Sequence, residues 1–234
     1  MMIHDNINRL QQKIDEICRK CGRNSSEILL IAVSKNNPIS AIEEVQKCGL
    51  LHFGENKAQE LRDKSEIKSE GIFWHFIGHL QTNKVKYAVK SAEMIHSVDS
   101  DKVLDEINKR AEAENKIQKI LFEVNTSDES NKYGLRDFNS LKKLVDVADK
   151  SRNVKPIGLM TMAPYTDDKK IIRDCFVQLR EWKEELNGIG YNLTELSMGM
   201  TNDFDLAIEE GSTIIRIGTA IFGERDYSQK WNEQ

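Results

Sequence analysis

Glu27-Ile28-Leu29-Leu30-Ile31-Ala32-Val33-Ser34-Lys35 decides how the rest of this chain is read. Apolar residues run unbroken from Ile28 to Val33 and then meet a hydroxyl and a lysine. Such a run, rich in β-branched residues, reads as a strand buried on both faces, and strands of that kind belong to parallel sheets wrapped in helices. In those architectures the site lies at the carboxyl ends of the strands. Lys35 stands at such an end. A lysine there loses hydration, which lowers its pKa, and a neutral amine can attack a carbonyl to form a Schiff base. Taken alone, the run favours a lysine that leaves the sheet for water, so the other strand ends must decide.

Outward from this strand (Ile28–Lys35), strand and helix signals alternate. The remaining strands read as Leu50–Glu55, Ile72–Gly78, Met94–Val98, Lys119–Asn125, Pro156–Met162, Thr194–Gly199 and Thr213–Ile217. Helices fall between them at Ile39–Lys47, Lys57–Lys68, Asn83–Lys90, Asp101–Asn115, Asp137–Ser151, Asp168–Leu186 and Asp203–Glu210. Asp99 or Ser100 suits the cap of the helix at Asp101. Eight such units predict an α/β fold, a single (β/α)8 TIM barrel. An open doubly wound sheet normally has fewer strands and often a G-x-G-x-x-G turn, which is missing after the first strand. Ahead of the barrel, Ile3, Ile7, Leu10, Ile14, Ile17 and Cys18 mark an amphipathic helix over 3–21, placed to close the bottom of the barrel. One domain is expected: this helix, the barrel over 28–223, and a polar tail over 224–234.

Bulk properties agree. The chain has 234 residues, 39% hydrophobic and 31% charged, with a net charge of −4, and its pI near 5.8 gives no support for nucleic-acid binding. No apolar run approaches membrane-spanning length and the N-terminus lacks a signal-peptide pattern, so a cytoplasmic location is expected. Of the four cysteines, Cys18 and Cys21 form a C-x-x-C. No second ligand pair follows at zinc spacing, and the motif closes a helix instead of opening one after a strand, so idle thiols are expected and no metal.

The strand ends carry the chemistry. Ser197, Met198 and Gly199 end the seventh strand, and Gly218 and Thr219 follow the eighth, where barrels often bind phosphate through glycine amides and hydroxyls. Turn-forming glycines are the plainer reading. Arg216 interrupts the apolar strand Ile214-Ile215-Arg216-Ile217; a buried arginine keeps its proton and must meet an acceptor, whether a neighbouring carboxylate or a ligand. A strand-end lysine, a phosphate pocket and a buried arginine together suit an aldehyde that carries a phosphate: pyridoxal 5′-phosphate (PLP). Arg216 would face the ring nitrogen and keep it unprotonated, which damps carbanion chemistry. His75, in Phe73-Trp74-His75-Phe76-Ile77, fits a cofactor contact or a satisfied core histidine equally well. His52 and His96 receive no role. Glu55 fits an ion pair with a barrel lysine better than a base. Met160, Met162, Met198 and Met200 suit the core better than a metal.

Five motifs in fixed order resemble the PLP homeostasis protein family. They are Ala32-Val33-Ser34-Lys35, Phe53-Gly54-Glu55-Asn56, Trp74-His75-Phe76-Ile77-Gly78 with Leu80-Gln81-Thr82-Asn83-Lys84, Leu196-Ser197-Met198-Gly199-Met200-Thr201, and Arg216-Ile217-Gly218-Thr219-Ala220-Ile221-Phe222-Gly223. The resemblance implies a monomeric, fold-type III barrel like the N-terminal domain of alanine racemase, with PLP held as an internal aldimine. By motif, Lys35 matches the Schiff-base lysine, Arg216 the residue at the pyridine nitrogen, Ser197, Gly218 and Thr219 the phosphate contacts, and Asn56 a pocket residue. One departure is His79, where proline is usual, and it concerns the local shape of the mouth. The segment Asn125 to Gly134 also resembles a family loop, whose Lys132 is either a solvated lysine or a station for the cofactor.

The family role implied is buffering or delivery of PLP, without catalysis and with transient contact to apo-enzymes as the partners. The alternative is an amino-acid racemase. That chemistry would need a second base from a further domain, which this chain is expected to lack, and Tyr133, Tyr165 and Tyr227 have no context that makes one of them that base. A phosphate-binding barrel enzyme that never meets PLP is the third reading.

Overall fold

The computed structural model describes residues 3–127, 129, 132–223 and 231. Tyr227, Asp128, Ser130, Asn131 and, Trp231 apart, the tail over 224–234 lie outside them.

Eight parallel strands close in sequence order into a barrel, β1 pairing with both β2 and β8. The elements are α1 (Ile3–Lys20), β1 (Leu29–Val33), α2 (Ile39–Lys47), β2 (His52–Glu55), α3 (Ala58–Ile67), β3 (Phe73–Phe76), α4 (Val85–Ser91), β4 (Met94–Val98), α5 (Asp101–Ala113), β5 (Gln118–Glu123), α6 (Phe138–Asp149), β6 (Val154–Met160), α7 (Lys169–Gly188), β7 (Glu195–Ser197), α8 (Phe204–Glu209), β8 (Ile214–Ile217) and α9 (Thr219–Phe222). The (β/α)8 expectation is met, strand for strand.

Alternation along each strand separates two cores. Ile31, Met94, Leu121, Met160 and Ile214 point into the barrel and pack on one another. Their sequence neighbours, such as Ala32, Ile95, Ile120, Leu159 and Ile215, face the helix layer and join its larger core. Both faces of the sheet are therefore dry, which is why the strands read as apolar runs.

Several strand boundaries differ from expectation, and two of them and one helix cap do so for clear physical reasons. β1 stops at Val33, because Ser34–Asn37 makes a turn in which Asn37 N donates to Ser34 O at 2.9 Å. β6 starts two residues before Pro156; the missing N–H is absorbed where the β5–β6 register shifts between Ile120 and Leu121. Ser100 is the N-cap residue of α5 but makes no side-chain cap bond, whereas Asp137 and Asp168 cap α6 and α7 through their carboxylates.

The N-terminal helix corrects a larger expectation. α1 does not close the bottom of the barrel. It lies along the side, against α2, α8 and α9, with Asn6 Nδ2 donating to Ile221 O at 2.9 Å. The cause is the shortness of α9: four residues cannot cover the β8–β1 seam, and the stripe Ile7, Leu10, Ile14, Ile17 and Cys18 covers it instead.

No helix among the described residues is long and apolar enough to cross a membrane. Nor does any cluster of His, Cys, Asp or Glu among them suit a metal. Cys18 and Cys175 are buried thiols, and Cys21 is exposed.

Candidate cofactor site

The turn after β1 carries Lys35, half-buried, into the barrel mouth. Asn36 adopts φ +60°, a conformation asparagine tolerates better than most residues. A buried cluster pins this turn from α3. Lys64 Nζ, fully buried, donates to Ser34 O at 2.8 Å, to Glu55 Oε1 at 2.8 Å and to Glu60 Oε1 at 2.7 Å. Glu60 Oε1 also accepts from Asn36 N at 2.7 Å, and Ser34 Oγ donates to Glu55 Oε1 at 2.7 Å. Both neighbours of Lys35 are thus held by one ion cluster. Trp231 of the tail places its ring centroid 5.3 Å from the Lys64 ammonium. Burial raises the Glu55 pKa against the pull of Lys64. The ion pair expected for Glu55 is this one.

Arg216 enters from β8 and is buried. Its Nη1 donates to Ser197 Oγ at 2.6 Å and its Nη2 to Thr161 O at 2.9 Å. Burial draws its pKa down to about 10, with Asp203 and then Glu123 pulling the other way, so it stays protonated at neutral pH. Glu123 ends β5 with Oε2 unpartnered among the described residues. Burial, then Asp99, push its carboxyl up to about 7 against the Arg216 charge.

A cavity of about 460 Å³ opens at this mouth, within the size range of small-ligand sites. Lys35, Asn56, Arg216, Gly218 and Thr219 all line it. Gly78 lets Asn56 reach the wall, because a Cβ there would sit 2.2 Å from Asn56 O.

Four other expected site residues do not line the cavity. His75 is buried with both ring nitrogens taken, by His52 at 2.9 Å and His96 at 3.0 Å, so the core reading describes it better than a cofactor contact. The Ser197 hydroxyl is engaged by Arg216 and by His96 Nδ1 at 2.9 Å. Met198 alternates outward into the helix-layer core. Gly199 turns the chain at φ +97°, where a Cβ would lie 2.6 Å from Ala207 Cβ. Met162 and Met200 line the cavity, while Met160 and Met198 are core.

The mouth holds further groups, among them two that the resemblance singled out, His79 and Lys132. His79 stacks on Tyr133 with ring centroids 3.5 Å apart and lies 3.9 Å from Asp99. Lys132 pairs with Glu129 and donates to Ala163 O at 3.2 Å, so it bridges its loop to the end of β6. Asp203, whose Oδ1 accepts from Met200 N, joins the wall next to Arg216. Of these, Asp203 was missed as a site residue, although an acid opening a helix beside the predicted phosphate turn is a usable signal.

Barrel and mouth define a class: the family model of the alanine racemase N-terminal domain matches residues 6–226. Relatives narrow it. The "Pyridoxal phosphate homeostasis protein" of Aquifex aeolicus (strain VF5) is 44% identical over 226 residues, 95% of this chain and 98% of its own. PipY of Synechococcus elongatus PCC7942, solved without PLP, is 34% identical with a TM-score of 0.85. Each structure of it is matched over 95% of this chain and 100% of its own length. The PipY structure with PLP bound is 33% identical with a TM-score of 0.83. This chain belongs to the pyridoxal phosphate homeostasis protein family.

Proposed function

We propose that this chain binds PLP at the barrel mouth through Lys35 and serves to hold and release the cofactor without turning over a substrate. One observation carries the reading: a single cavity gathers the Lys35 amine, the Arg216 guanidinium and the Gly218–Thr219 turn. That donor set fits a small phosphorylated aldehyde with a ring nitrogen. When bound, PLP supplies an aldehyde that condenses with an amine and a ring that withdraws electrons.

The residues divide the work. The Lys64 cluster holds the Lys35 turn on both sides. Asn56 and Ile77 present a polar and an apolar wall. Thr219 and the Gly218 turn would hold the phosphate. Arg216 is a cation at neutral pH with two of its donors committed to Ser197 and Thr161, so it would orient the ring nitrogen of a bound cofactor without protonating it and would leave that ring a weak electron sink. The PLP-bound PipY structure supports the ligand.

Support for a non-catalytic role comes from the tyrosines. Tyr133 is stacked on His79. Tyr165 lines the cavity but is 97% exposed, so nothing among the described residues fixes it as a base opposite Lys35. The test is a visible spectrum of wild type and Lys35→Ala with added PLP, together with racemisation assays on amino acids. A Lys35-dependent band without turnover is expected. Sustained racemisation would overturn the carrier role, and a band that survives Lys35→Ala would overturn the tether.

A further inference from the structure

Three histidines join into one line through the barrel interior. His52 Nδ1 lies 2.9 Å from His75 Nε2, His75 Nδ1 3.0 Å from His96 Nε2, and His96 Nδ1 2.9 Å from Ser197 Oγ. The same Ser197 oxygen accepts the 2.6 Å bond from Arg216. The sheet builds this line. His52 pairs across strands with Phe73, two residues before His75, and His75 pairs with Met94, two residues before His96. Each imidazole therefore stands one pleat further along than the last. The line starts at half-buried His52, stacked on Phe73 with ring centroids 4.8 Å apart, and climbs to the guanidinium in the cavity wall.

The proton count gives the line a direction. Burial lowers the pKa of all three rings, His75 to about 3. The charged groups acting on them are Glu93 and Lys119 at His52, Lys119 at His75 and Arg216 at His96; Asp203 and Glu123 act on Arg216 in turn. Each ring is thus neutral near pH 7, with one donor and one acceptor nitrogen. Every link joins the Nδ1 of one ring to the Nε2 of the next, so all three rings must share a tautomer. With Nδ1–H throughout, Ser197 Oγ would accept from both His96 and Arg216, and its own hydrogen would have no partner in the line. With Nε2–H throughout, Ser197 donates to His96 Nδ1 and accepts from Arg216, and every link from His52 Nδ1 to Ser197 joins a donor to an acceptor.

We propose that His96, His75 and His52 are positioning residues for Arg216, a one-way line of Nε2–H imidazoles that turns the Ser197 hydrogen away from the guanidinium and fixes Arg216 in the cavity wall. Its consequence for PLP rests on the function proposed above; the line itself concerns only side chains of this protein.

Long-range 1H–15N NMR of the histidines in the cofactor-free full chain, from about pH 6 to about pH 8, reads the tautomers directly. All three are expected neutral with the proton on Nε2. An Nδ1–H tautomer or a protonated ring at His75 or His96 overturns the line.

Two variants read the positioning. His96→Asn keeps an acceptor where Nδ1 was, and His96→Gln does not. Hydrogen exchange of the Arg216 Nη protons should quicken about tenfold in His96→Gln and stay within about threefold of wild type in His96→Asn. Unchanged exchange in His96→Gln, or equal loss in both variants, overturns the positioning role; should neither variant fold, the wild-type tautomers decide. With PLP added, His96→Gln should shift the visible band and His96→Asn should not. A wild type that shows no band refutes PLP binding, and the NMR result still judges the line.

Discussion

Glu123 offers a sharp test of the electrostatics below the mouth. It is 4% exposed, its Oε2 has no partner among the described residues, and burial raises its pKa from 4.5 to about 7. A folded-state pKa above the unfolded value means that its contribution to stability is fully present below about pH 4.5 and is lost as pH rises through about 7. The shift from 4.5 to about 7 corresponds to roughly 3 kcal/mol. Glu123→Gln keeps the shape and removes the ionisation. Urea unfolding of both proteins at about pH 4.5 and about pH 8 should therefore show the variant gaining roughly 3 kcal/mol on wild type between the two conditions. Whatever constant offset the amide introduces cancels in that difference. A stability difference that does not change with pH, or that moves in favour of wild type as pH rises, would refute the reasoning.

The remaining predictions concern the turn and the wall. Lys64→Met leaves Glu55 and Glu60 buried without their cation and should cost about 3–5 kcal/mol in urea unfolding near neutral pH; a variant as stable as wild type would show that the cluster holds nothing. The same variant should also weaken PLP binding, measured by titration of the visible band, since the Ser34 carbonyl loses its donor and Glu60, which holds Asn36 N, loses its cation. Gly78→Ala puts a Cβ 2.2 Å from Asn56 O and should lower stability by about 1–3 kcal/mol, read as a fall in melting temperature. An unchanged melting temperature would mean that the β2 and β3 ends can separate without cost.

Much of this is legible in the sequence. Strands buried on both faces write themselves as apolar runs, so all eight were found, and polar residues at their carboxyl ends pointed to the mouth. Lys35, Asn56, Arg216, Gly218 and Thr219 meet in the cavity for that reason. Parity and depth were not legible. His75 and Ser197 do turn inward, but they sit below the cavity, where side chains from neighbouring strands use up their polar atoms. His52 and His96 looked isolated because their partnership depends on strand register, which places residues 21 to 23 apart along the chain on one slanted row. The path of α1 was misread because nothing in its own stripe distinguishes the barrel floor from its side. The shortness of α9 decides that, and it lies at the other end of the chain.

Lys35 is the tether in the function proposed here. The most direct measurement adds PLP to the full chain, reduces with borohydride and maps the pyridoxyl group by peptide mass spectrometry. One modified lysine is expected, Lys35, in a peptide that includes the end of β1, with the modification lost in Lys35→Ala. A pyridoxyl group on Lys64, Lys132 or Lys169 instead, or none at all, would contradict it.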